Sequence, residues 1–382
     1  MILAPLVAAA LVALLLARPW EDVPPLLGPV DPPEHIRSLS IDFGIVTDPA
    51  TDWSVVNDRL DEVAATSVDL NAGRVEFTGF DWEAYPDAAA EPGRDHIARA
   101  ARALRTMADG SPRQIGLVVD AYVPEWIRQD PSVAGKDAAG QPGPYQPSAT
   151  ALTDGPVGQR LVEYVAALGE RYGPSQITIT ELFLDRYSYG DDDLALYREM
   201  TGATDWPRGA DGQIDEGAPE LGTWRSEVLA SLLARMRTAL DEVRDGEGKQ
   251  IELAMDVRVN WADLASGDAS SGHDFEILLR SVDRLVVWAY IGVLQRSVDE
   301  VGALTAALAA SDIDSDRITV SVGLWGPDGV QPIPVETMAE AVTLAGTNGI
   351  RAVHVTPYSL MSEPYWTALA GIWVPQAEAE GD

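Results

Sequence analysis

The feature that most constrains the fold of this chain is a strand followed by a helix-length segment, repeated eight times from about residue 38 onward. Such alternation produces parallel strands, and eight repeats close them into a barrel. We therefore predict an α/β fold, a single-domain (β/α)8 TIM barrel over residues 38–375. The predicted strands are 38–45, 74–80, 114–122, 176–187, 251–261, 284–291, 317–325 and 352–358.

Helix-length segments separate these strands, and several carry recognisable boundaries. Gly173 and Pro174 end one segment, and Pro334 opens another. The excursion at 188–222 is too long for a routine loop, so we expect either a lid carrying Trp206 or a solvated loop. The predicted helices are 95–108, 157–171, 223–244, 273–282, 297–310 and 335–347.

Along the predicted strands, apolar residues alternate with polar ones, so the positions of one parity (odd or even) are apolar and those of the other are polar. Ordinary parallel strands, in contrast, are apolar on both faces. In 251–261 the odd positions are apolar and the even positions include Asp256, Arg258 and Asn260. The apolar parity must face the helices, so the polar parity faces the barrel lumen. In 176–187 the polar parity changes after Thr180, which is compatible with a bulge. The side chains assigned to the lumen are Asp42, Glu76, Asp120, Glu181, Asp185, Asp256, Arg258, Asn260, His354 and Tyr358.

Carboxylates at the carboxy ends of barrel strands are candidates for catalysis, because active sites of such barrels lie there. Adjacent strands lie about 4.8 Å apart, which allows Asp185 and Asp256 carboxyl groups within roughly 5–10 Å of each other. That range covers retaining and inverting glycoside hydrolysis. Glu181 lies about 13 Å from Asp185 along the strand. We expect Asp185 to act as nucleophile or base, and Asp256 or Glu181 as proton donor.

Aromatic side chains at strand ends favour a carbohydrate ligand, because sugar rings stack their C–H faces on indoles. Trp288, Trp325 and Tyr358 share the lumen parity, whereas Trp261 is on the outward parity typical of packing. Polar lumen side chains would hold sugar hydroxyls. The predicted substrate-binding residues are Asp42, Glu76, Asp120, Tyr187, Arg258, Asn260, Trp288, Tyr290, Trp325, His354 and Tyr358.

Charge and composition exclude several classes of function. The formal net charge is -33, from 60 acidic against 27 basic side chains, which argues against nucleic acid as a partner. The chain has no cysteine, which removes disulfides, thiol catalysis and cysteine-ligated zinc. Its four histidines leave little room for a histidine-rich metal site. We predict no cofactor and no metal.

The amino terminus suggests export. Residues 2–17 are an uncharged apolar run that would reach about 24 Å as a helix, less than the roughly 30 Å hydrocarbon layer. We predict a signal peptide or membrane anchor at 1–18, a Pro-rich tether at 19–37 and an acidic tail at 376–382. An extracytoplasmic protein follows, either secreted or tethered through residues 2–17.

The chain resembles the exported glycosyl-hydrolase-like TIM-barrel proteins, the family-ten-like hypothetical glycosidases. The motifs that carry the resemblance run from Asp154-Gly-Pro-Val through Phe183-Leu-Asp185-Arg-Tyr187 and Trp224-Arg225 to Ile251-Glu-Leu-Ala-Met-Asp256. The chain departs from the family at Thr180-Glu181, where an Asp-Gly usually precedes the core of the fourth strand. The resemblance implies an extracytoplasmic enzyme acting on a polysaccharide.

These observations together predict an exported glycoside hydrolase-like protein that cleaves a polysaccharide or oligosaccharide with a carboxylate pair. The alternative is a non-catalytic carbohydrate-binding TIM barrel that retains the cleft. A lyase or deacetylase is a third possibility, although a deacetylase would need metal ligands beyond His354.

Overall fold

A computed structural model describes residues 25–28, 30–243 and 250–374. Its strands are β1 (Ile36–Ile41), β2 (Ser67–Arg74), β3 (Phe77–Thr78), β4 (Gln114–Asp120), β5 (Ala134–Lys136), β6 (Pro142–Pro147), β7 (Gln176–Thr180), β8 (Glu252–Val257), β9 (Arg284–Ala289), β10 (Ile318–Gly323) and β11 (Ala352–Thr356). Eight of them form a parallel barrel in the order β1, β2, β4, β7, β8, β9, β10, β11, and β11 pairs again with β1. The predicted (β/α)8 fold is confirmed.

The helices surround the barrel. In chain order they are α1 (Phe43–Thr47), α2 (Trp53–Glu62), α3 (His96–Leu104), α4 (Pro124–Gln129), α5 (Ala149–Thr153), α6 (Pro156–Tyr172), α7 (Asp191–Thr201), α8 (Pro219–Val243), α9 (Phe275–Leu278), α10 (Asp299–Ala310), α11 (Val335–Ala345) and α12 (Glu363–Trp373). The boundaries follow local chemistry: α6 begins with Pro156 in its first turn and ends at Gly173, which adopts a left-handed conformation.

The second barrel strand was wrongly predicted at 74–80. It is β2, Ser67–Arg74, and the chain then reverses so that Arg74 pairs antiparallel with Phe77 in β3. The predicted segment therefore spans a hairpin turn, which removes Glu76 from the barrel strand. Gly73 allows the reversal, since its φ is +102° and a Cβ there would lie 2.3 Å from the Phe77 carbonyl oxygen.

The fourth and fifth strands end earlier than predicted. β7 stops at Thr180 because Glu181 has a φ of +56°, which is incompatible with extended backbone. β8 stops at Val257, since the next amide, that of Arg258, donates to His273 Nδ1 instead of to a neighbouring strand. Side chains beyond these points, including Asp185 and Asn260, therefore follow loop geometry.

The apolar parity of the strands faces the helices, as predicted. On β8, Leu253, Met255 and Val257 are fully buried. The glutamate and aspartate of the opposite parity, Glu252 and Asp256, face the lumen. The hydrophobic core thus lies between barrel and helices, and this leaves the lumen to polar side chains.

The excursion at 188–222 contains helix α7. Its Trp206 is only 6% exposed and packs against the rings of Tyr189, Tyr197 and Trp224 at 4.7–5.5 Å. These contacts hold Trp206 in an aromatic cluster next to α8, and not over the lumen as a lid would require.

The predicted signal or anchor at 1–18 and the acidic tail at 376–382 lie outside the described residues. Part of the predicted tether docks on the barrel, because the backbone amide of Leu27 donates to the Tyr172 carbonyl at 2.8 Å. Among the helices that the structure describes, none combines the length and apolar character needed to span a bilayer.

Candidate active site

A polar cavity of about 230 Å³ runs through the barrel lumen. It extends from Gln114 and Glu252 at the amino ends of strands to Asp120 and Trp325 at the carboxy ends. Barrels of this type are usually filled by bulky branched side chains. Here the inward positions carry many small residues, and the lumen stays open. The small lining residues are Ser38, Ser40, Ser67, Gly116, Ser175, Thr178, Thr180, Thr319 and Thr356.

Three carboxylates meet at one level of this cavity. Asp120 of β4 is in register with Thr180 of β7. Ile179 is in register with Met255, so Thr180 and Asp256, one residue further, are neighbours across β7 and β8. Glu181 follows Thr180 directly and lines the same cavity. The mouth therefore brings together Asp120, Glu181 and Asp256.

The segment after β7 has an unusual backbone. Glu181 has a φ of +56° and Asp185 a φ of +43°, a backbone region that residues other than glycine rarely occupy. Such conformations cost of order 1–3 kcal/mol and concentrate at functional sites. The turn at Glu181 directs its carboxyl group into the lumen beside the two aspartates.

Burial raises the pKa of all three carboxyl groups. Loss of solvent raises the pKa of Asp256 to about 7, and the negative charges of Glu181 and Asp69 add to this. The nearby polar side chains of Thr180 and Trp288 oppose the rise. Asp256 is thus partly protonated at neutral pH.

Glu181 differs from Asp256 in its neighbours. Burial raises its pKa, and a hydrogen bond from the Tyr122 hydroxyl and the charge of Arg258 oppose the increase. Asp120 and Asp185 add negative charge. Since the hydroxyl and the guanidinium both favour the carboxylate form, Glu181 is the better placed of the pair to carry a charge.

Asp120 and Glu76 share one cation. Arg74 lies 3.3 Å from Asp120 Oδ2 and 4.0 Å from Glu76 Oε2. Burial raises the pKa of Asp120, and Arg74 opposes this increase. The Glu76 carboxylate also accepts from the Trp126 amide at 2.7 Å, so it fixes the β2–β3 turn to α4.

Deeper in the lumen, a row of polar side chains extends across the barrel. The Ser38 hydroxyl donates to Asp69 Oδ2 at 2.5 Å, and Ser321 Oγ is 2.8 Å from His354 Nδ1. His354 Nε2 lies 3.7 Å from Asp69 Oδ2, beyond hydrogen-bond distance. Burial lowers the pKa of His354, which leaves the imidazole neutral.

One wall of the cavity is aromatic. Trp288 and Tyr290 stack with ring centroids 5.0 Å apart and planes 11° from parallel, and Trp325 contacts Tyr290 at 5.4 Å. Gly323 makes room for this wall, since a Cβ there would lie 2.5 Å from the Tyr290 ring. The wall offers flat apolar faces beside the carboxylates, because β9 with Trp288 pairs with β8 that carries Asp256.

Asp185 lies in a second depression, the outer groove, beside the mouth. Arg258 Nη1 donates to both Asp185 oxygens at 2.8 and 3.0 Å, and its guanidinium lies 3.8 Å from the Phe183 ring centroid. His273 fixes this arrangement by accepting from the Arg258 amide. The outer groove is lined by Asp185, Arg186, Tyr187, Glu216, Gly217, Arg225, Arg258, Asp268, Ser270 and Ser271.

The structure separates the predicted site residues into two groups. Those that line the lumen cavity are Asp42, Asp120, Glu181, Asp256, Trp288, Tyr290, Trp325 and His354. Asp185, Tyr187 and Arg258 line the outer groove instead. The predicted pair Asp185 and Asp256 is therefore not brought into one cavity, whereas Glu181 and Asp256 are.

The lumen parity was wrong for five residues that lie in loops, namely Glu76, Asp185, Arg258, Asn260 and Tyr358. Glu76 is in the β2–β3 turn, and the Arg258 side chain turns to the outer groove. Asn260 Oδ1 accepts from the Ala262 amide in a tight turn, and the Tyr358 ring packs 5.4 Å from Trp366. Each follows a strand end that came earlier than the alternation suggested.

Asp69, Asn71 and Glu252 are among the lumen residues that were not predicted as site residues. The signal was present, because Ser67, Asp69 and Asn71 alternate with the buried apolar residues of β2. The similar alternation at 74–80 satisfies the strand pattern as well, and it was predicted as the strand in place of 67–74.

Comparisons with known proteins identify the fold. The PgaB (BpsB) glycoside hydrolase domain from Bordetella bronchiseptica matches with a TM-score of 0.67 and 17% identity over 90% of this chain and 100% of that chain. A β-galactosidase from the Antarctic haloarchaeon Halorubrum lacusprofundi matches with a TM-score of 0.64 and 12% identity, over 88% of this chain and 57% of that chain. The catalytic domain of a β-amylase from Paenibacillus polymyxa matches with a TM-score of 0.59 and 10% identity, over 89% and 98% of the two chains.

No protein-family model and no curated protein sequence matches this chain. The three solved structures are glycoside hydrolases with barrel folds, and at these identities the likeness shows the fold alone. The resemblance to the family-ten-like glycosidases stays a prediction.

Proposed function

We propose that this protein hydrolyses glycosidic bonds of a polysaccharide or oligosaccharide at the mouth of the barrel lumen. The observation that carries the proposal is the position of Glu181. Its left-handed backbone brings a carboxyl group into the cavity that holds Asp256 and that an aromatic wall also lines. A carboxylate pair in a cavity with an aromatic wall suits cleavage of a bond between two sugar rings. The barrel fold shared with solved glycoside hydrolases supports the same class of reaction.

In this proposal Asp256 donates the proton to the leaving sugar oxygen. Its pKa of about 7 keeps a proton available near neutral pH, which suits a general acid. Glu181, stabilised as a carboxylate by Tyr122 and Arg258, acts as nucleophile or as base toward water. The aromatic wall of Trp288, Tyr290 and Trp325 would hold the sugar rings.

Asp185 keeps a competing assignment, because the sequence favours it as the essential carboxylate. Its ion pair with Arg258 at 2.8 Å would orient it at the edge of the mouth. Under this assignment the reacting bond would lie closer to the outer groove.

The first experiment measures reducing-end release from a panel of bacterial and plant polysaccharides. It compares the wild type with Asp256→Asn, Glu181→Gln and Asp185→Asn at matched folding. Asp58→Asn, an exposed aspartate of α2, is the control. We expect release to fall by about 100-fold or more in the Asp256 and Glu181 variants and to stay unchanged in the control.

The variants separate the competing assignments. Loss of activity in Asp185→Asn alone would move the chemistry to the outer groove. Activity that survives in all three variants would contradict the carboxylate mechanism.

A second function, carbohydrate binding without catalysis, is favoured by one observation. Asp185, which the sequence favours as nucleophile or base, is held by Arg258 outside the lumen. Retained glycan binding by wild-type protein, with no product from any glycan that it binds, would support this function over hydrolysis.

Export is also part of the proposal, and it rests on the apolar run at residues 2–17. A secreted protein would have lost the apolar run by cleavage, whereas a tethered protein would keep it. Fractionation of cells followed by amino-terminal sequencing of the recovered chain distinguishes them, and a cytoplasmic chain that starts at Met1 would exclude both.

A further inference from the structure

We propose that the saccharide bound in the lumen carries positively charged amino groups, as an oligomer of glucosamine does. The proposal rests on the proposed function and names its substrate class. Six carboxyl side chains line the cavity, those of Asp42, Asp69, Asp120, Glu181, Glu252 and Asp256. No lysine or arginine is among the described residues that line it.

The cations near the cavity do not balance these carboxylates. Arg74 pairs with Asp120 at 3.3 Å, and Arg284 pairs with Glu252 at 3.2 Å at the amino end of the barrel. Arg258, which pairs with Asp185 in the outer groove, also places positive charge near Glu181. His354 is neutral because burial lowers its pKa. Asp42 and Asp69 face the lumen without an ion pair to any arginine or lysine among the described residues, so the lumen carries an excess of negative charge even with Asp256 partly protonated. An acidic outer surface does not account for this, since these groups point inward.

Asp69 is the carboxylate that most needs a cation. It is 8% exposed and accepts from the Ser38 hydroxyl. Gly116 on the neighbouring strand leaves it room, since a Cβ there would lie 1.9 Å from Asp69 Oδ1. A buried carboxylate without a charged partner is costly, and a ligand ammonium group would supply that partner.

The imidazole of His354 is a second polar group in the lumen that could bind a ligand. His354 is 9% exposed, and its buried Nε2 has no hydrogen-bond partner. His354 Nε2 lies 3.7 Å from Asp69 Oδ2, and both side chains line the same part of the cavity. A sugar that places an ammonium on Asp69 would bring a neighbouring hydroxyl to His354.

The aromatic wall adds a third preference for positive charge. The faces of Trp288, Tyr290 and Trp325 attract cations as well as C–H groups, so an amino sugar gains from both. A neutral sugar would gain the stacking alone, and an acidic sugar would be repelled by the carboxylates.

The test compares two ligands that differ in charge and acetylation: β-1,4-linked hexamers of glucosamine and of N-acetylglucosamine. Binding is measured by calorimetry at pH 6.5 in 0.05 M and 0.5 M NaCl, and product release is followed in parallel. We expect the glucosamine hexamer to bind at least tenfold more tightly at low salt, and the advantage to shrink at high salt. Asp69→Asn should lose most of the advantage, whereas the exposed Asp58→Asn should keep it.

Several outcomes would overturn the inference. They are equal or tighter binding of the N-acetylated hexamer, no binding of the glucosamine hexamer, and binding of spermine as tight as that of the hexamer, which would show attraction by charge alone. Because the salt dependence is measured on the wild type, the test does not depend on correct folding of Asp69→Asn. Cleavage of neutral oligosaccharides without this preference would refute the substrate class and leave the proposed hydrolysis standing.

Discussion

At the scale of single residues, Asp256 shows how burial couples chemistry to stability. Its pKa is about 7 in the folded chain, against about 3.9 for an unfolded aspartate. Between these values the folded state holds more protons than the unfolded state, so stability falls as pH rises. Each pKa unit corresponds to about 1.4 kcal/mol. The catalytic role proposed for Asp256 thus costs stability at alkaline pH.

Replacing this carboxyl group should remove that cost. Because an unfolded aspartate already ionises above about pH 4, we expect Asp256→Asn to be more stable than wild type at both pH 5 and pH 8, and its advantage to grow by about 2–3 kcal/mol between them. Urea unfolding at both pH values measures the difference, with Asp58→Asn as control. An Asp256→Asn effect that is the same at pH 5 and pH 8 would show that this carboxyl titrates normally.

Residue identity was predictable at this scale, but conformation was not. The parity of the strands placed Asp42, Asp120 and Asp256 in the lumen, because side-chain direction alternates along an extended chain. The left-handed backbone of Glu181 depends on contacts with neighbouring strands, and a glutamate at that position gives no signal from which it could be predicted.

At the scale of elements, the spacing between β2 and β4 sets the shape of the deep cavity. Gly116 faces Asp69 across these strands, and a Cβ at 1.9 Å from the carboxylate oxygen forces the side chain or the strand to move. We expect Gly116→Ala to destabilise the fold by about 1–3 kcal/mol.

Gly371→Ala provides the matched comparison. Gly371 is an exposed position of helix α12 with nothing within 4 Å of an added Cβ, so alanine should stabilise the helix by about 0.5–1 kcal/mol. Thermal unfolding of the two variants measures both signs. A stable Gly116→Ala variant would mean that Asp69 has space to move, which would weaken its assignment as a fixed charge.

Element boundaries were the part of the fold that the sequence analysis located least well. Two consecutive alternations, 67–74 and 74–80, both satisfy the strand pattern, and the choice depends on the hairpin between Arg74 and Phe77. The same limit displaced Asn260 and Tyr358, because a strand ends where its amides find other partners. Helices with clear boundary residues, such as α6 with Pro156 and Gly173, were predicted closely.

At the scale of the whole molecule, the net charge of -33 opposes folding, since the compact state concentrates like charges. Raising the ionic strength from 0.1 to 1 M shortens the screening length from about 10 to about 3 Å. Salt should therefore stabilise the fold while it weakens binding of a cationic ligand in the lumen. The two effects have opposite signs because one concerns repulsion within the chain and the other attraction to a ligand.

We expect the unfolding midpoint to rise by at least about 3 °C between 0.05 and 1 M NaCl, the shift that 1 kcal/mol produces in a large domain. A variant with three exposed acids neutralised, Asp58→Asn, Asp312→Asn and Glu340→Gln, should gain less from salt because it has less repulsion to screen. Scanning calorimetry of both proteins over the same salt series measures the effect. If both midpoints rise equally, the stabilisation comes from general salt effects on hydration, and the surface charge is tolerated without cost to the fold.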